Sequence, residues 1–182
     1  LTNIALLIRA DSKIREKIER IVLMNGVFFR PGLEYNTKRD AEASSIVYSS
    51  GIPIETVGLD VTMQCRLSNS DMQRMEDSKL DTVHFLLQLI RLWQGVNPGA
   101  NPILHDPLAI AVEVRPDLVF TETGRVRVET HGTPEETYGM TIFQKGPSGN
   151  VRVANEVNSA KVVDFFLLRI LAPPRGSKPA SP

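Results

Sequence analysis

Helical and strand-like periods alternate along the first half of the chain. Helix-period stretches run from Thr2 to about Ala10 and from Asp11, read as an N-cap, to about Glu19. Ile21-Val22-Leu23-Met24 is a short apolar run stopped by Asn25-Gly26, the pattern of a buried strand. Asp40-Ala41-Glu42-Ala43 opens a helix that closes at Gly51-Ile52-Pro53, and Ile54 to Leu59 is a second buried strand. Helix, strand, helix, strand at this spacing predicts parallel α/β layering.

The middle is helical, from Ser70 to about Asp77 and from Leu80 to Gln94, where Val83, Leu86, Leu87, Ile90 and Trp93 share one face. A Pro/Gly/Asn-rich loop, Gly95 to Pro102, precedes a short helix over Asp106 to Glu113. After Pro116 the period changes to two. Val126, Val128 and Thr130 alternate with charged residues, Met140 and Ile142 repeat the pattern, and Val151 with Val153 opens a third extended piece. These predict a small antiparallel set around Arg125 to Asn155 with one wet face. Asn158 to Leu171 is a closing amphipathic helix, and Pro173 to Pro182 has no apolar anchor and reads as a disordered tail.

Composition excludes several classes. Lys plus Arg equals Asp plus Glu at 21 each, so bulk charge draws in neither nucleic acid nor an anionic membrane. The apolar runs Ile4 to Ile8 and Val162 to Ile170 are too short to span a bilayer. The single cysteine, Cys65, excludes an intrachain disulfide and a Cys-rich zinc site, and fits a reducing, cytoplasmic setting. Cys65 reads as an inert small residue, His84 and His131 as structural or solvent-facing, and Asp60 and Thr62 as strand-end and helix-cap residues. Taken alone, His105 reads as a hydrogen-bonded loop residue and Asp106 as an N-cap ahead of Pro107, rather than as parts of a site.

Three stretches change that balance. Leu1-Thr2-Asn3-Ile4-Ala5-Leu6 is similar to a Gly-Pro-Leu-Thr-Asn-Ile-Ala helix start. Ile21 to Met24, then Glu34-Tyr35-Asn36 and Asp40-Ala41-Glu42-Ala43, are similar to a strand ending in Met-Gly-Gly followed by Glu-Phe-Asn and Asp-Pro-Glu-Ala. His105-Asp106-Pro107-Leu108-Ala109, with the strand-like Val126 to Gly132 and Gly139-Met140-Thr141, is the most specific. Together they resemble the inosine-uridine preferring nucleoside hydrolases over residues 1 to about 171. The resemblance implies a three-layer α/β fold with a mostly parallel, Rossmann-like sheet and a small antiparallel addition, incomplete relative to the family. It divides the chain into residues 1–172, the carboxyl-terminal part of a nucleoside hydrolase domain, and the tail 173–182.

The implied chemistry is hydrolysis of the N-glycosidic bond of ribonucleosides, giving ribose and free base through an oxocarbenium-like transition state. Calcium would hold the ribose hydroxyls and the attacking water. Asp106 and the carbonyl of Thr2 would be metal ligands, and His105 the acid that protonates a departing purine. Glu34 and Asn36 would hydrogen-bond the ribose, and Met24 would line the sugar pocket. The partners implied are a nucleoside substrate and, as an open assembly state, a homo-oligomer.

The chain departs from this family pattern in two places. An Asp-x-Asp-x-x-x-Asp-Asp motif, which would supply most calcium ligands and the base for water, occurs nowhere in the 182 residues. The loop from Gly26 to Glu34 is short and lacks the usual Gly-Asn, and Asn25 stands where the first Gly of Gly-Gly belongs. Leu1 begins inside a helical pattern, so the chain is expected to be part of something longer. Two functions follow: a nucleoside hydrolase active when completed by its amino-terminal segment, or a truncated, non-catalytic remnant that binds ligands or a partner.

Overall fold

The computed structural model describes residues 1–173 apart from 12, 132, 134 and 135. The predicted disordered tail therefore lies, except for Pro173, outside the described residues, as does Gly132.

Helix α1 (Thr2–Ala10) leads to strand β1 (Ile21–Met24), the short helices α2 (Tyr35–Arg39) and α3 (Ala41–Tyr48), and strand β2 (Ile54–Val57). Helices α4 (Leu59–Thr62), α5 (Asn69–Glu76), α6 (Asp81–Val96) and α7 (His105–Val114) follow. Then come β3 (Val119–Val128), β4 (Thr141–Lys145), β5 (Val151–Val157) and the closing helix α8 (Ser159–Ile170). The five strands form one sheet in the order β1-β2-β5-β3-β4. β1, β2 and β5 run parallel, and β3 runs antiparallel to both β5 and β4. The parallel layering and the antiparallel addition are both present, fused into a single sheet.

The third extended piece, expected within the antiparallel addition with one wet face, does pair antiparallel with β3, but it also pairs parallel with β2 and is covered on both faces. β5 thus sits between β2 and β3, with Val151, Val153 and Ala154 fully buried. A second difference is local. The predicted helix over Asp11 to Glu19 is only a 3₁₀ turn, Ile14–Glu16, where the Asp11 carboxylate accepts from the Lys13 amide at 2.8 Å. That short-range bond offers the backbone an alternative to helix, and Ile14 and Ile18 reach the core without one.

Alternation along the strands builds a core on each face of the sheet. Leu23, Ile54, Val151 and Val153 pack with Ala5 and Ile8 of α1 and Ala41, Val47 and Tyr48 of α3. Val57 and Ala154 pack on the other face with Val61, Met75, Leu87, Leu108, Val112, Val162 and Leu167. Among the described residues no helix is long and apolar enough to cross a membrane.

Cys65 is fully buried, and burial pushes its thiol up to about 11. The thiolate is the reactive form. Native protein at pH 8 is therefore expected to resist a disulfide reagent that labels Cys65 stoichiometrically in urea; rapid native labelling would contradict its place in the core.

Candidate active site

The parallel strands β1 and β2 end together at Met24 and Val57. Open α/β sheets bind ligands beyond this edge, and the loops here are cross-braced. The chain turns at Gly26, whose φ of 84° suits glycine. Its carbonyl accepts from the Leu59 amide at 2.9 Å. The Asp60 carboxylate accepts from the Phe28 and Phe29 amides at 2.7 and 3.1 Å. Thr141 of β4 accepts from the Val27 amide at 3.0 Å and donates to its carbonyl at 2.5 Å. Gly58 allows the two loops to approach. A Cβ there would lie 2.9 Å from both the Gly26 oxygen and the Phe28 ring. Gly58→Ala is therefore expected to lower stability by about 1–3 kcal/mol, the usual cost of overpacking, as an earlier urea transition.

Glu34 closes the loop. Its buried carboxylate caps α2: Oε2 accepts from the Gly26 and Thr37 amides at 3.2 and 2.9 Å and from the Thr37 hydroxyl at 3.0 Å. Oε1 accepts from the Asn36 amide at 2.8 Å. Asn36 is exposed, and its Nδ2 donates to the Met24 carbonyl at 3.3 Å and lies 3.6 Å from the Met24 sulfur. The three residues Met24, Glu34 and Asn36 are thus one connected unit at the end of β1.

His105 begins α7, half-buried, with Nδ1 2.9 Å from the hydroxyl of buried Thr62. Thr62 closes α4 just after β2, so His105 stands at the same sheet edge. Burial holds its imidazole below the ordinary histidine range. Asp106 and Glu34 oppose that shift and Arg66 adds to it, so all three charges act at this ring. Asp106 is exposed beside it in the first turn of α7.

Thr2 approaches from the opposite layer. Its hydroxyl donates to Asp40, the N-cap of α3, which follows the loop at the same edge. Asp106 and the Thr2 carbonyl are the only metal donors expected here from the sequence. Among the described residues no group of three or more His, Cys, Asp or Glu could hold a metal ion. Calcium takes about 6–8 oxygens, so these residues do not by themselves fit a calcium shell.

Beside His105 lies a cavity of about 490 Å³, lined also by Arg66, Leu89, Trp93, Pro102 and Ile103. That is within the roughly 300–1,000 Å³ of small-molecule sites.

A family model described as inosine-uridine preferring nucleoside hydrolase matches residues 1–164. The chain belongs to this nucleoside hydrolase family. It is 35% identical over 155 residues to uridine nucleosidase 1 of Arabidopsis thaliana, covering 80% of this chain and 45% of that protein. It is 34% identical over 185 residues to the pyrimidine-specific ribonucleoside hydrolase RihA of Shewanella oneidensis, covering 94% and 58%. The purine-preferring ribonucleoside hydrolase from Gardnerella vaginalis superposes with a TM-score of 0.81 at 31% identity, over 93% of this chain and 57% of that one. The chain thus spans about half the length of the nucleoside hydrolases it matches.

Sequence reasoning placed Asp60 and Thr62 as ordinary strand-end and cap residues. They brace the Gly26 loop and hold the His105 ring, and the signal was their position just past a buried parallel strand. Arg66 carried no such signal, and Trp93 read only as part of an apolar helix face.

Proposed function

We propose that this chain carries the base-protonating and ribose-positioning part of a nucleoside hydrolase that cleaves the N-glycosidic bond of ribonucleosides. What supports the reading is that His105 and the Met24–Glu34–Asn36 unit stand at one sheet edge, with Glu34 near enough for its charge to act on the His105 ring, and that a cavity of suitable size adjoins His105. Thr62 occupies Nδ1 of His105, so Nε2 is the nitrogen turned to substrate. A proton passes from Nε2 to the base as its bond to C1′ breaks; the bond's electron pair leaves with the base, and water adds to C1′ and gives up a proton to solvent. Asn36 and the remaining lone pair of Glu34 Oε1 bind ribose hydroxyls, and the Met24 thioether lies under the sugar. Asp106 and the Thr2 carbonyl supply a minority of the oxygens that a calcium ion would need.

The small donor set favours one second reading, a non-catalytic ligand-binding remnant. Base release from inosine and uridine, with and without calcium, by this chain joined to the portion of a relative that it does not match separates the two. Release at enzyme-like rates would exclude the remnant. Nucleoside binding without release from any form of the protein would exclude the hydrolase.

A further inference from the structure

Two buried side chains behind the sheet edge lack partners. Both polar atoms of the Asn25 amide and the Ser44 hydroxyl are sealed from solvent, and no described residue bonds any of the three. Asn25 directly follows β1, between Met24, whose carbonyl holds Asn36, and Gly26, whose amide donates to Glu34. Side chains alternate along an extended chain. Leu23 enters the core under α1 and α3 and Met24 the opposite one, so Asn25 turns back towards α3. Glycine stands here in the family pattern, which makes this amide an addition of the present chain.

Ser44 faces the same space. It stands one turn before Tyr48 on α3, and a helical side chain leans back over the preceding turn. The Tyr48 hydroxyl, 3.5 Å from the Asn25 carbonyl, therefore marks the place where Ser44 and Asn25 meet. Thr56 donates to that carbonyl at 3.0 Å, which uses its one proton. The 3.2 Å contact between Tyr48 and Thr56 then has Tyr48 as donor and leaves the Tyr48 oxygen a lone pair to offer.

Buried polar groups without a protein partner are rare, and ordered water is their usual partner. We propose that Asn25 and Ser44 bind at least one internal water that ties the end of β1 to α3. The water accepts from Asn25 Nδ2 and donates to Ser44 Oγ and the Tyr48 oxygen, about the three bonds an internal water makes. The donors and acceptors decide the ligand. A metal cation could not accept from the amide N–H, and Glu34, whose charge reaches Tyr48, disfavours an anion. A shift of Asn25 would move the Met24 carbonyl and the Gly26 amide, the two points on which Asn36 and Glu34 are held. The water is independent of whether the protein cleaves nucleosides.

Oxygen-17 relaxation dispersion counts long-lived internal waters in solution, so the 182-residue chain can be tested without metal or substrate. Asn25→Leu combined with Ser44→Ala removes all three partnerless atoms, and the dispersion amplitude is expected to fall by at least one water. Each single substitution leaves the other group stranded. The urea midpoint is therefore expected to drop in Asn25→Leu and in Ser44→Ala, and to drop no further in the double variant. Crystal density of the unmodified chain reads the same site without any substitution, as a water peak within hydrogen-bond reach of Asn25 Nδ2 and Ser44 Oγ. An undiminished amplitude in the double variant, additive losses of midpoint, or density in which Asn25 bonds Ser44 directly would overturn the site. A midpoint that differed between sodium and tetramethylammonium salts at equal ionic strength would put a cation in the water's place.

Discussion

His105→Ala is expected to slow inosine cleavage by about 10²–10⁴-fold, the usual contribution of a positioned general acid, while sparing a 4-nitrophenyl riboside. The form to test is this chain joined to the portion of a relative that it does not match. The 182 residues alone are expected to show no enzyme-like turnover, because Asp106 and one carbonyl cannot complete the shell of a hard dication. In the joined protein the leaving group decides what His105 is worth. Hypoxanthine departs poorly as an anion and needs a proton as the bond to C1′ breaks. A nitrophenolate departs unaided, so the missing imidazole costs it only a few-fold. Thr62→Val tests the placement of the ring. Removing the hydroxyl 2.9 Å from Nδ1 frees the imidazole to rotate, and kcat for inosine should fall by about tenfold, roughly one hydrogen bond's worth. An equal loss on both substrates in His105→Ala would move His105 from acid catalysis to ribose binding or to folding. Strong turnover by the unjoined chain would instead remove the argument from the metal shell.

The elements that were legible in the sequence are those whose period reports burial directly. Ile21 to Met24 is a continuous apolar run, and Ile54 to Val57 is a fully buried strand interrupted only by Glu55, whose carboxylate pairs with Arg152. The α5 start was displaced by one residue because Ser68 and Asp71 form a reciprocal capping box that places the cap ahead of Asn69. Pairing was less legible than period. Val151 and Val153 show which side chains go inward, but alternation carries no information about which neighbour a strand chooses, and β5 chose β2 as well as β3. Site residues divided along similar lines. His105, Asp106, Met24, Glu34 and Asn36 stood out through family resemblance, since isolated polar residues beside a strand are commonplace. What no local pattern could show was that Asp60 would brace a loop some thirty residues earlier, or that Arg66 and Trp93 would face one cavity. Those are products of tertiary packing.

Glu34→Ala is expected to destabilise the 182-residue chain by about 3 kcal/mol, since it strands several buried donors at once and each costs roughly 1–3 kcal/mol when unmet. Against a typical stability of about 5–15 kcal/mol, that is enough to move a urea midpoint visibly. The carboxylate is 3% exposed and draws together the Gly26 amide from the end of β1 with the Asn36 and Thr37 amides of α2. Full additivity is not expected, because the loop can open and return some of these donors to water. Glu34→Gln separates the parts of the effect. Its amide oxygen can take the Oε2 position and keep three bonds, to the Gly26 amide and to the amide and hydroxyl of Thr37. Its amino group then faces the Asn36 amide, donor against donor, where Oε1 accepted at 2.8 Å. About half the destabilisation should remain, and it should concentrate at Asn36, the residue whose Nδ2 is anchored on the Met24 carbonyl. Amide exchange is the sharper readout. In Glu34→Gln the Asn36 amide should exchange much faster than that of Thr37, whereas in Glu34→Ala the Gly26, Asn36 and Thr37 amides should all lose protection together. Unchanged protection at Gly26 in Glu34→Ala would show that the loop is held without this carboxylate, by Asp60 and Thr141 alone.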